Sequence, residues 1–296
     1  MKLLIFSLGI KGVSVVKALA DASDVQSIFC VIGQDDGVSD DCSDKLVSYC
    51  EQHKIKYAMR HDADIQTHDY DYDFAIAVGW RWIIREIPSA KLIVFHDSLL
   101  PRYRGFAPLV NALINKEHIT GVTALLGAEE YDRGNILLQK SMNLVYPTSI
   151  GSVISRISAI YAELALELVR KLNDGEIHGF GYPQDERSAT YSLWRNEDDY
   201  RINWDNDAES IEHFISCVGP PYRGASALLN ESIVRIFEAQ ARADVKIENR
   251  TAGKVIFLES GLPIVVCGTG LLALMDVRNE HGESVVPLKS FRSMFQ

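Results

Sequence analysis

Hydrophobic positions in the first half of the chain alternate between short continuous runs and longer stretches with helical spacing. Lys2 to Leu8 is a short apolar run that ends in Gly9, and Gly12 to Ala22 then repeats apolar residues at helical intervals. A buried strand that feeds a helix in this way is typical of a parallel sheet with both faces covered. The same pattern predicts a helix at Ser43 to His53 and further strands at Val25 to Ile32, Phe74 to Val78, Leu92 to His96, Thr120 to Gly127 and Asn135 to Val145. We therefore predict an α/β domain with a Rossmann-like, mostly parallel sheet.

The pattern changes after a long amphipathic helix, which is predicted from Ser149 to Asn173 and is followed by Gly175 as a stop signal. A polar, irregular stretch and a short helix at Ala208 to Cys217 come next. Beyond them lie short alternating segments broken by turn residues, at Ala225 to Leu229, Ile233 to Ala239, Gly253 to Leu258, Ile264 to Val266 and Leu271 to Val277. We predict two domains, residues 1–180 with the Rossmann-like sheet and residues 181–296 with a smaller, β-rich, barrel-like sheet.

Composition and charge narrow the classes of partner. The 296 residues are 47% hydrophobic and 24% charged, as in ordinary globular domains. Lys and Arg total 30 against 40 Asp and Glu, which gives a formal net charge of −10. Because proteins that bind a phosphate backbone usually carry a basic face, we expect no nucleic-acid partner.

The cysteines and the apolar runs indicate the compartment. Five cysteines form no Cys-x-x-Cys pair, and an odd, scattered set is a poor disulfide framework. No uninterrupted apolar stretch approaches the roughly 20 residues that span a bilayer. The first residues also lack a basic leader and a small-residue cleavage site. We therefore expect a cytoplasmic protein with no membrane partner.

Two weaker motifs are interpreted as structural features and not as ligand-binding sites. Gly9 and Gly12 follow the first strand but lack the third glycine of a dinucleotide-binding turn, so we predict a plain strand-to-helix turn. A cluster of histidines and aspartates has a spacing that fits no usual metal-ligand motif: His61, Asp62, Asp64, His68 and Asp69. We predict an acidic, solvated loop there and no metal site.

The stretch with the most chemistry runs from Phe95 to Ile136 and has the sequence FHDSLLPRYRGFAPLVNALINKEHITGVTALLGAEEYDRGNI. His96 ends a predicted parallel strand, and ligands of open α/β sheets bind beyond such strand ends. Asp132 stands on an Asp-x-Gly turn. Taken alone, a histidine at a strand end is more often a satisfied polar residue, and an Asp-x-Gly sequence is more often only a turn.

This stretch resembles the signature of the N10-formyltetrahydrofolate-dependent formyltransferases, which is Asn-x-His-x-Ser-Leu-Leu-Pro-x-x-Arg-Gly followed by Thr-Gly-Val-Thr and an Asp-x-Gly turn. The matching residues fall in register at His96, Ser98 to Pro101, Arg104 to Gly105, Thr120 to Thr123 and Asp132 to Gly134. Outside this stretch the resemblance is looser, but it covers nearly the whole chain. It implies formyl transfer with N10-formyltetrahydrofolate as co-substrate and without a metal.

The resemblance also assigns roles to residues. An amine attacks the formyl carbon, an oxyanion develops and the amine loses a proton; His96 and Asp132 are expected to stabilise that charge and to relay the proton. Co-substrate-binding residues are expected at Gly79, Trp80, Ser98, Leu99, Leu100 and Pro101, and substrate-binding residues at Arg104 and Gly105. Two alternatives stay open, in which the Ser98 to Pro101 turn is only a rigid loop and Arg104 is a solvated surface charge.

One position departs from the family pattern. The family's catalytic asparagine lies two residues before the histidine, and this chain has Val94 there. Loss of one oxyanion donor typically costs about 10²–10³-fold in rate. Catalysis therefore needs a substitute donor, for which a backbone N–H and Asn111 are candidates. The alternative is a catalytically impaired module that binds folate or a nucleotide sugar.

Three acceptors are natural for the family: a nucleotide-linked amino sugar, methionyl-tRNA and glycinamide ribonucleotide. The second domain argues against the last, whose enzymes usually consist of the catalytic domain alone. From Arg187 to Gln296, 12 Lys and Arg stand against 15 Asp and Glu, a net charge of −3, whereas a tRNA-binding domain should be basic. We therefore expect a dTDP- or UDP-linked amino sugar, as in enzymes that formylate sugars of lipopolysaccharide O-antigen, with methionyl-tRNA as the alternative. The resemblance also suggests a homodimer.

Overall fold

The computed structural model describes residues 1–62, 70–176, 181–288 and 290–296. It divides into two compact units. Unit 1 comprises Met1–Asp36, Asp40–Val145 and Ser152–Trp194, and unit 2 comprises Gly37–Ser39, Tyr146–Gly151 and Arg195–Gln296. The final crossing between units therefore follows Trp194, and the predicted boundary at residue 180 lies too early. The reason is strand pairing, because Tyr182 bridges to Ile136 and Ser192 pairs with Gly105 inside unit 1.

Unit 1 is built on a sheet that has seven strands in the described part of the chain. The strands of this unit are β1 (Lys2–Ser7), β2 (Ser27–Ile32), β3 (Lys56–Met59), β4 (Phe74–Val78), β5 (Leu92–His96), β6 (Arg104–Gly105), β7 (Ile119–Leu126), β8 (Ile136–Asn143) and β9 (Tyr191–Ser192). The sheet order is β3-β2-β1-β4-β5-β7-β8, while β6 pairs with β9 separately. Neighbours from β3 to β5 are parallel, and β7 runs antiparallel to β5 and β8. The predicted mostly parallel α/β sheet is confirmed.

The helices include the four that the sequence pattern predicts. They are α1 (Gly9–Ala20), α2 (Ser43–His53), α3 (Pro108–Ile114), α4 (Ile150–Asn173) and α5 (Ala208–Val218), with short 3₁₀ turns at Arg60–Asp62, Ser89–Lys91, Glu186–Ser188 and Asp198–Tyr200. Gly175 follows α4 with φ +70°, the left-handed conformation of a helix stop. Within the ranges that the structure describes, no helix has both the length and the apolar character to cross a membrane.

One face of the unit 1 sheet carries a row of apolar side chains that leads to His96. The parallel registers pair Val31 with Phe6, Phe6 with Ala77, and Ala77 with Val94. Side chains alternate between the two faces along a strand. His96 lies two residues beyond Val94 and so shares its face, at the carboxyl end of β5. The buried row therefore fixes where the histidine stands at the sheet edge.

Unit 2 contains an antiparallel sheet of β10 (Ala225–Leu229), β11 (Ser232–Arg242), β12 (Val255–Glu259), β13 (Leu262–Val266) and β14 (Leu271–Asn279), in the order β10-β11-β14-β13-β12. The segment from Ser293 to Gln296 hydrogen-bonds near both outer strands. Phe295 bridges to Leu229, and Met294 bridges to Lys254 just before β12. These contacts close the sheet, as the barrel-like prediction requires.

Candidate active site

His96 is held at the carboxyl end of β5 with an oxygen acceptor beside each ring nitrogen. Nε2 lies 2.8 Å from the Tyr103 carbonyl oxygen, and Nδ1 lies 3.5 Å from Oδ1 of Asp132. Because a carbonyl only accepts, Nε2 carries the proton of this hydrogen bond. Nδ1 is therefore the nitrogen that faces the carboxylate. The side chains of His96 and Asp132 are 8% and 14% exposed, so this pair is largely shielded from solvent.

Asp132 stands on a rigid turn between β7 and β8. Its φ of 55° is left-handed, and its Oδ2 accepts the N–H of Gly105 at 2.8 Å. Gln184 donates through Nε2 to the carbonyl oxygens of Asp132 and Gly134, at 2.7 and 2.8 Å. A Cβ on Gly134 would lie 1.8 Å from the Leu126 oxygen, so the turn requires glycine there. The carboxylate of Asp132 is thus oriented by main-chain geometry as well as by His96.

Arg104 is the largest correction to the sequence prediction. Its side chain is fully buried, so it is neither a solvated charge nor placed to contact a substrate. Nε and Nη2 donate to Oε1 of Gln184 at 3.1 and 2.8 Å, while Nη1 and Nη2 donate to the two oxygens of Glu186 at 2.9 and 2.8 Å. Since Gln184 holds the Asp132 turn, Arg104 stabilises that turn indirectly, through Gln184.

Gly105, predicted beside Arg104 as a substrate-binding residue, has a geometric role in this structure. Its amide hydrogen points at Asp132, and its φ is 96°. A Cβ there would lie 2.5 Å from the Ser192 carbonyl oxygen, so a larger residue would push β6 away from β9. The glycine lets the backbone pass close enough to orient the carboxylate.

The Ser98 to Pro101 turn is held mainly by its own hydrogen bonds. The Ser98 hydroxyl donates to the Arg102 carbonyl oxygen at 2.6 Å. Thr123 Oγ1 donates to the Ser98 oxygen at 2.6 Å and accepts the Leu100 N–H at 3.1 Å. Leu100 is buried against Leu125, and Leu99 is partly buried. This geometry indicates a rigid loop, in which Leu99 and Pro101 are the members that keep accessible surface.

Gly79 and Trp80 follow the carboxyl end of β4. Gly79 has φ +62°, and a Cβ there would lie 2.7 Å from the Leu8 oxygen. Trp80 packs edge-to-face on Phe6 and Trp82, with ring centroids 5.2 and 4.9 Å away. Its buried Nε1–H has no acceptor among the residues that the structure describes. Buried donors are normally satisfied, so an acceptor on a bound ligand fits this position.

Val94 occupies the position of the family's oxyanion donor, and Asn111 is a candidate substitute for it. Val94 packs between two apolar clusters of the sheet face and offers no hydrogen-bonding side chain. The Nδ2 of Asn111 donates to the Ala107 carbonyl oxygen at 2.9 Å. The amide of Asn111 is therefore held by its own helix, α3, and a substitute donor must come from elsewhere or from a rearrangement of this side chain.

A buried ion pair beside His96 was not predicted from the sequence. Asp97 pairs with Lys11 of α1, and its Oδ1 accepts the Tyr161 hydroxyl of α4 at 2.5 Å. Burial alone would raise the pKa of the Asp97 carboxyl, but the charge and hydrogen bond of Lys11, together with the Tyr161 hydroxyl, hold that pKa below its ordinary value. The only sequence signal was a charged residue directly after a buried strand. The pair ties the residue that follows β5 to α1 and α4.

The described residues contain no group of three or more His, Cys, Asp or Glu side chains suited to a metal ion. Of the predicted acidic loop, His61 and Asp62 form an exposed 3₁₀ turn. Asp64, His68 and Asp69 lie outside the described residues. The site is thus built from a histidine, a carboxylate and main-chain groups, which can orient an amine and move a proton.

Two family models match the chain. The model described as Formyl transferase matches residues 1–168, and Formyl transferase, C-terminal domain, matches residues 195–293. Methionyl-tRNA formyltransferase of Thermodesulfovibrio yellowstonii is 33% identical over 211 residues, which cover 71% of this chain and 65% of the relative. The match thus spans slightly less than two thirds of that relative's length.

Solved structures share the fold. The N-formyltransferase from Helicobacter canadensis, in complex with folinic acid and dTDP-3-aminofucose, gives a TM-score of 0.68 at 17% identity, over 93% of this chain and 99% of that chain. Methionyl-tRNA formyltransferase from Clostridium thermocellum gives 0.56 at 17% identity, over 82% of this chain and 94% of that chain. At such identities the similarity shows the fold alone.

Proposed function

Since this chain belongs to the formyltransferase family, we propose that it transfers a formyl group from N10-formyltetrahydrofolate to the amino group of a dTDP- or UDP-linked amino sugar. The observation that carries the proposal is the contact between His96 and Asp132, which brings the end of β5 together with the turn between β7 and β8. Their surroundings leave one carboxylate oxygen, Oδ1, between the histidine and an incoming amine.

The two residues divide the chemistry of acyl transfer. Asp132 accepts the proton that the amine sheds as its nitrogen bonds to the formyl carbon, and His96 stabilises the oxyanion that develops. The bond from the formyl carbon to N10 of the folate then breaks, and His96 relays the proton to N10, so that tetrahydrofolate leaves. Trp80 and the Ser98 to Pro101 turn bound the space for the folate ring system. The unpartnered Nε1–H of Trp80 supports this assignment, because pterins offer several acceptors.

Charge supports the sugar over tRNA as acceptor. Unit 2 has 11 Lys and Arg and 15 Asp and Glu, a net charge of 11 − 15 = −4. Unit 1 adds Asp35, Asp36, Asp40 and Asp41 in one stretch after β2. Proteins that bind nucleic acid neutralise several phosphates with basic side chains. An acidic C-terminal unit suits a small acceptor, which needs only a few local cations.

Fold similarity also supports the sugar. The fold similarity to the Helicobacter canadensis enzyme, which binds dTDP-3-aminofucose, extends over 99% of that chain. WlaRD, described as a sugar 3N-formyl transferase, matches over 97% of its length with a TM-score of 0.68. We propose the same class of acceptor for this chain.

A second candidate is methionyl-tRNA formylation, which sequence identity favours. Relatives named methionyl-tRNA formyltransferase are 33% and 31% identical over 71% and 70% of this chain, from Thermodesulfovibrio yellowstonii and Citrifermentans bemidjiense. The acidic C-terminal unit is the observation that places this candidate second.

An acceptor panel tests the proposal. Purified protein is incubated with N10-formyltetrahydrofolate and either dTDP- and UDP-linked amino sugars, dTDP-3-aminofucose among them, or methionyl-tRNA. Tetrahydrofolate is followed by absorbance and the formylated product by mass spectrometry. We expect turnover with at least one amino sugar and none in the His96→Ala control. Turnover with methionyl-tRNA and none with the sugars would reject the proposal.

A further inference from the structure

Two exposed aromatic rings stand beside the catalytic carboxylate. Phe106 is 44% exposed and Tyr131 is 62% exposed, and their ring centroids lie 6.0 Å apart. Each is the chain neighbour of one partner in the hydrogen bond from Gly105 to Asp132. We name Phe106 and Tyr131 the aromatic rim. The rim is therefore tied through one main-chain bond to the group that receives the proton.

The backbone under the rim is held on both sides. The N–H of Phe106 donates to the Ser192 carbonyl oxygen at 3.0 Å, which continues the pairing of β6 with β9. On the other side, the clamp from Gln184 fixes the turn that carries Tyr131. Two fixed backbones hold the rings in place before any ligand arrives, and such preorganisation lowers the entropic cost of binding.

Leaving these rings in water has no benefit for folding. Apolar surface gains about 25 cal/mol for each Å² removed from water, and an exposed apolar patch next to a polar site commonly marks a ligand contact. Both rings could be replaced by polar residues without a loss of core packing. The surface is therefore best explained by something that covers it during the reaction.

Charge around the rim selects which part of the acceptor lies there. Arg133, next to Asp132, is paired with Glu130 and Glu186. Arg102, on the neighbouring loop, is paired with Glu117. Because both cations are matched by carboxylates, this area suits an uncharged group rather than a diphosphate. The reacting amine must also lie within hydrogen-bond reach of Asp132, about 2.6–3.2 Å.

We propose that the aromatic rim packs against the sugar ring that carries the acceptor amine and so selects an amino sugar with an apolar face. A pyranose presents a face of C–H groups, and a deoxy sugar adds a methyl group, and both pack well on aromatic rings. The nucleotide diphosphate then extends away from the rim. This inference rests on the proposed function, because it names the specificity residues of that same site.

The test measures KM and kcat for Phe106→Ala and Tyr131→Ala with the dTDP- or UDP-linked amino sugar that the wild type turns over fastest. Each variant should raise the KM for the sugar about tenfold to a hundredfold, the effect of losing one ring's apolar contact. The KM for N10-formyltetrahydrofolate should change less than about twofold. Tyr131→Phe keeps the ring and should raise the KM for the sugar less than Tyr131→Ala does. Leu166→Ala removes a 39% exposed leucine from α4 and serves as the matched control.

The outcomes separate the two proposals. Sugar turnover with unchanged KM in both alanine variants overturns the rim and leaves the proposed function standing. No turnover of any amino sugar overturns both. Formylation of methionyl-tRNA by the wild type, with a raised KM in the alanine variants, would show that the rim holds the methionine side chain, and it would overturn the assignment to a sugar ring. Thermal unfolding of every variant confirms that the fold is intact.

Discussion

The main-chain N–H of Gly105 donates to Oδ2 of Asp132 at 2.8 Å, across 27 residues of sequence. The other carboxylate oxygen faces Nδ1 of His96 at 3.5 Å. One oxygen is thus held by the backbone, while the other is left for proton transfer. Because the two oxygens have separate partners, the charge of this side chain can be removed with little change in its geometry.

Asp132→Asn is expected to lower kcat by about 10²–10⁴-fold, the usual contribution of a positioned proton-transfer group. An asparagine oxygen still accepts the Gly105 N–H, but the amide cannot take a proton from the amine. The midpoint of thermal unfolding, Tm, should stay within a few degrees of the wild type. Tetrahydrofolate release at saturating substrates measures the effect. Asp174→Asn, an exposed carboxyl of the α4 terminus, is the control, and equal rates in both variants would contradict the role.

Val94→Asn is expected to raise kcat, by up to about 10²-fold if the amide reaches the oxyanion. The position lies on the same sheet face as His96 and two residues before it, where the family pattern has asparagine. Val94→Thr, similar in shape, controls for a polar group in the partly buried position. Turnover that is absent in the wild type and in Val94→Asn alike would instead favour the non-catalytic binding module.

The sequence predicts the strands and helices well because buried strands and amphipathic helices impose local periods. The bounds of β4 and β5, Phe74–Val78 and Leu92–His96, agree with the predicted ones. The hydrophobic pattern does not predict β3, because a four-residue strand has too few positions to show a period. The contact between His96 and Asp132 could be expected because one motif of fixed spacing carries both residues.

The supporting contacts were not predictable because their partners lie far apart in sequence. Arg104 was expected at a substrate, yet its partners Gln184 and Glu186 come 80 and 82 residues later. Lys11 and Asp97 are separated by 86 residues. No local pattern states which distant carboxylate a basic residue will meet, and the topology of the sheet decides it.

Arg104→Lys is expected to lower both stability and kcat while leaving the KM for the acceptor near that of the wild type. A lysine cannot reproduce the forked contacts to Gln184 and Glu186, and the loss of this support loosens the turn of Asp132. Urea unfolding and steady-state kinetics measure the two effects. Arg187→Lys, whose side chain is 91% exposed, should change neither. A raised acceptor KM with unchanged stability would show direct substrate contact instead.

Lys11→Met is expected to destabilise the protein by about 3–5 kcal/mol, because removal of one partner leaves a buried charge without compensation. The side chains of Lys11 and Asp97 are only 14% and 16% exposed. The double variant Lys11→Met with Asp97→Asn should regain part of the loss, since no charge is then left unpaired. Lys17→Met on the exposed side of α1 is the control. Equal free energies of unfolding for Lys11→Met and Lys17→Met, measured with urea, would contradict the buried ion pair.

The same pair should make stability depend on pH in the acid range. The folded-state pKa of Asp97 lies below its ordinary value of 3.8, because Lys11 and the Tyr161 hydroxyl outweigh the opposing effect of burial. A lowered pKa means that the unfolded chain binds the proton more readily. The contribution of Asp97 to stability is therefore complete above that ordinary value and is lost as pH falls through the folded-state pKa.

The variant Asp97→Asn has no carboxyl that titrates at this position, while the other carboxyls titrate in both proteins and their effects largely cancel. The difference in unfolding free energy between wild type and Asp97→Asn should therefore be constant from pH 7 to about 5 and should shrink below it. Urea unfolding at a series of pH values checks this, and a difference that stays constant down to about pH 2.5, below the ordinary carboxyl range, would contradict the assignment.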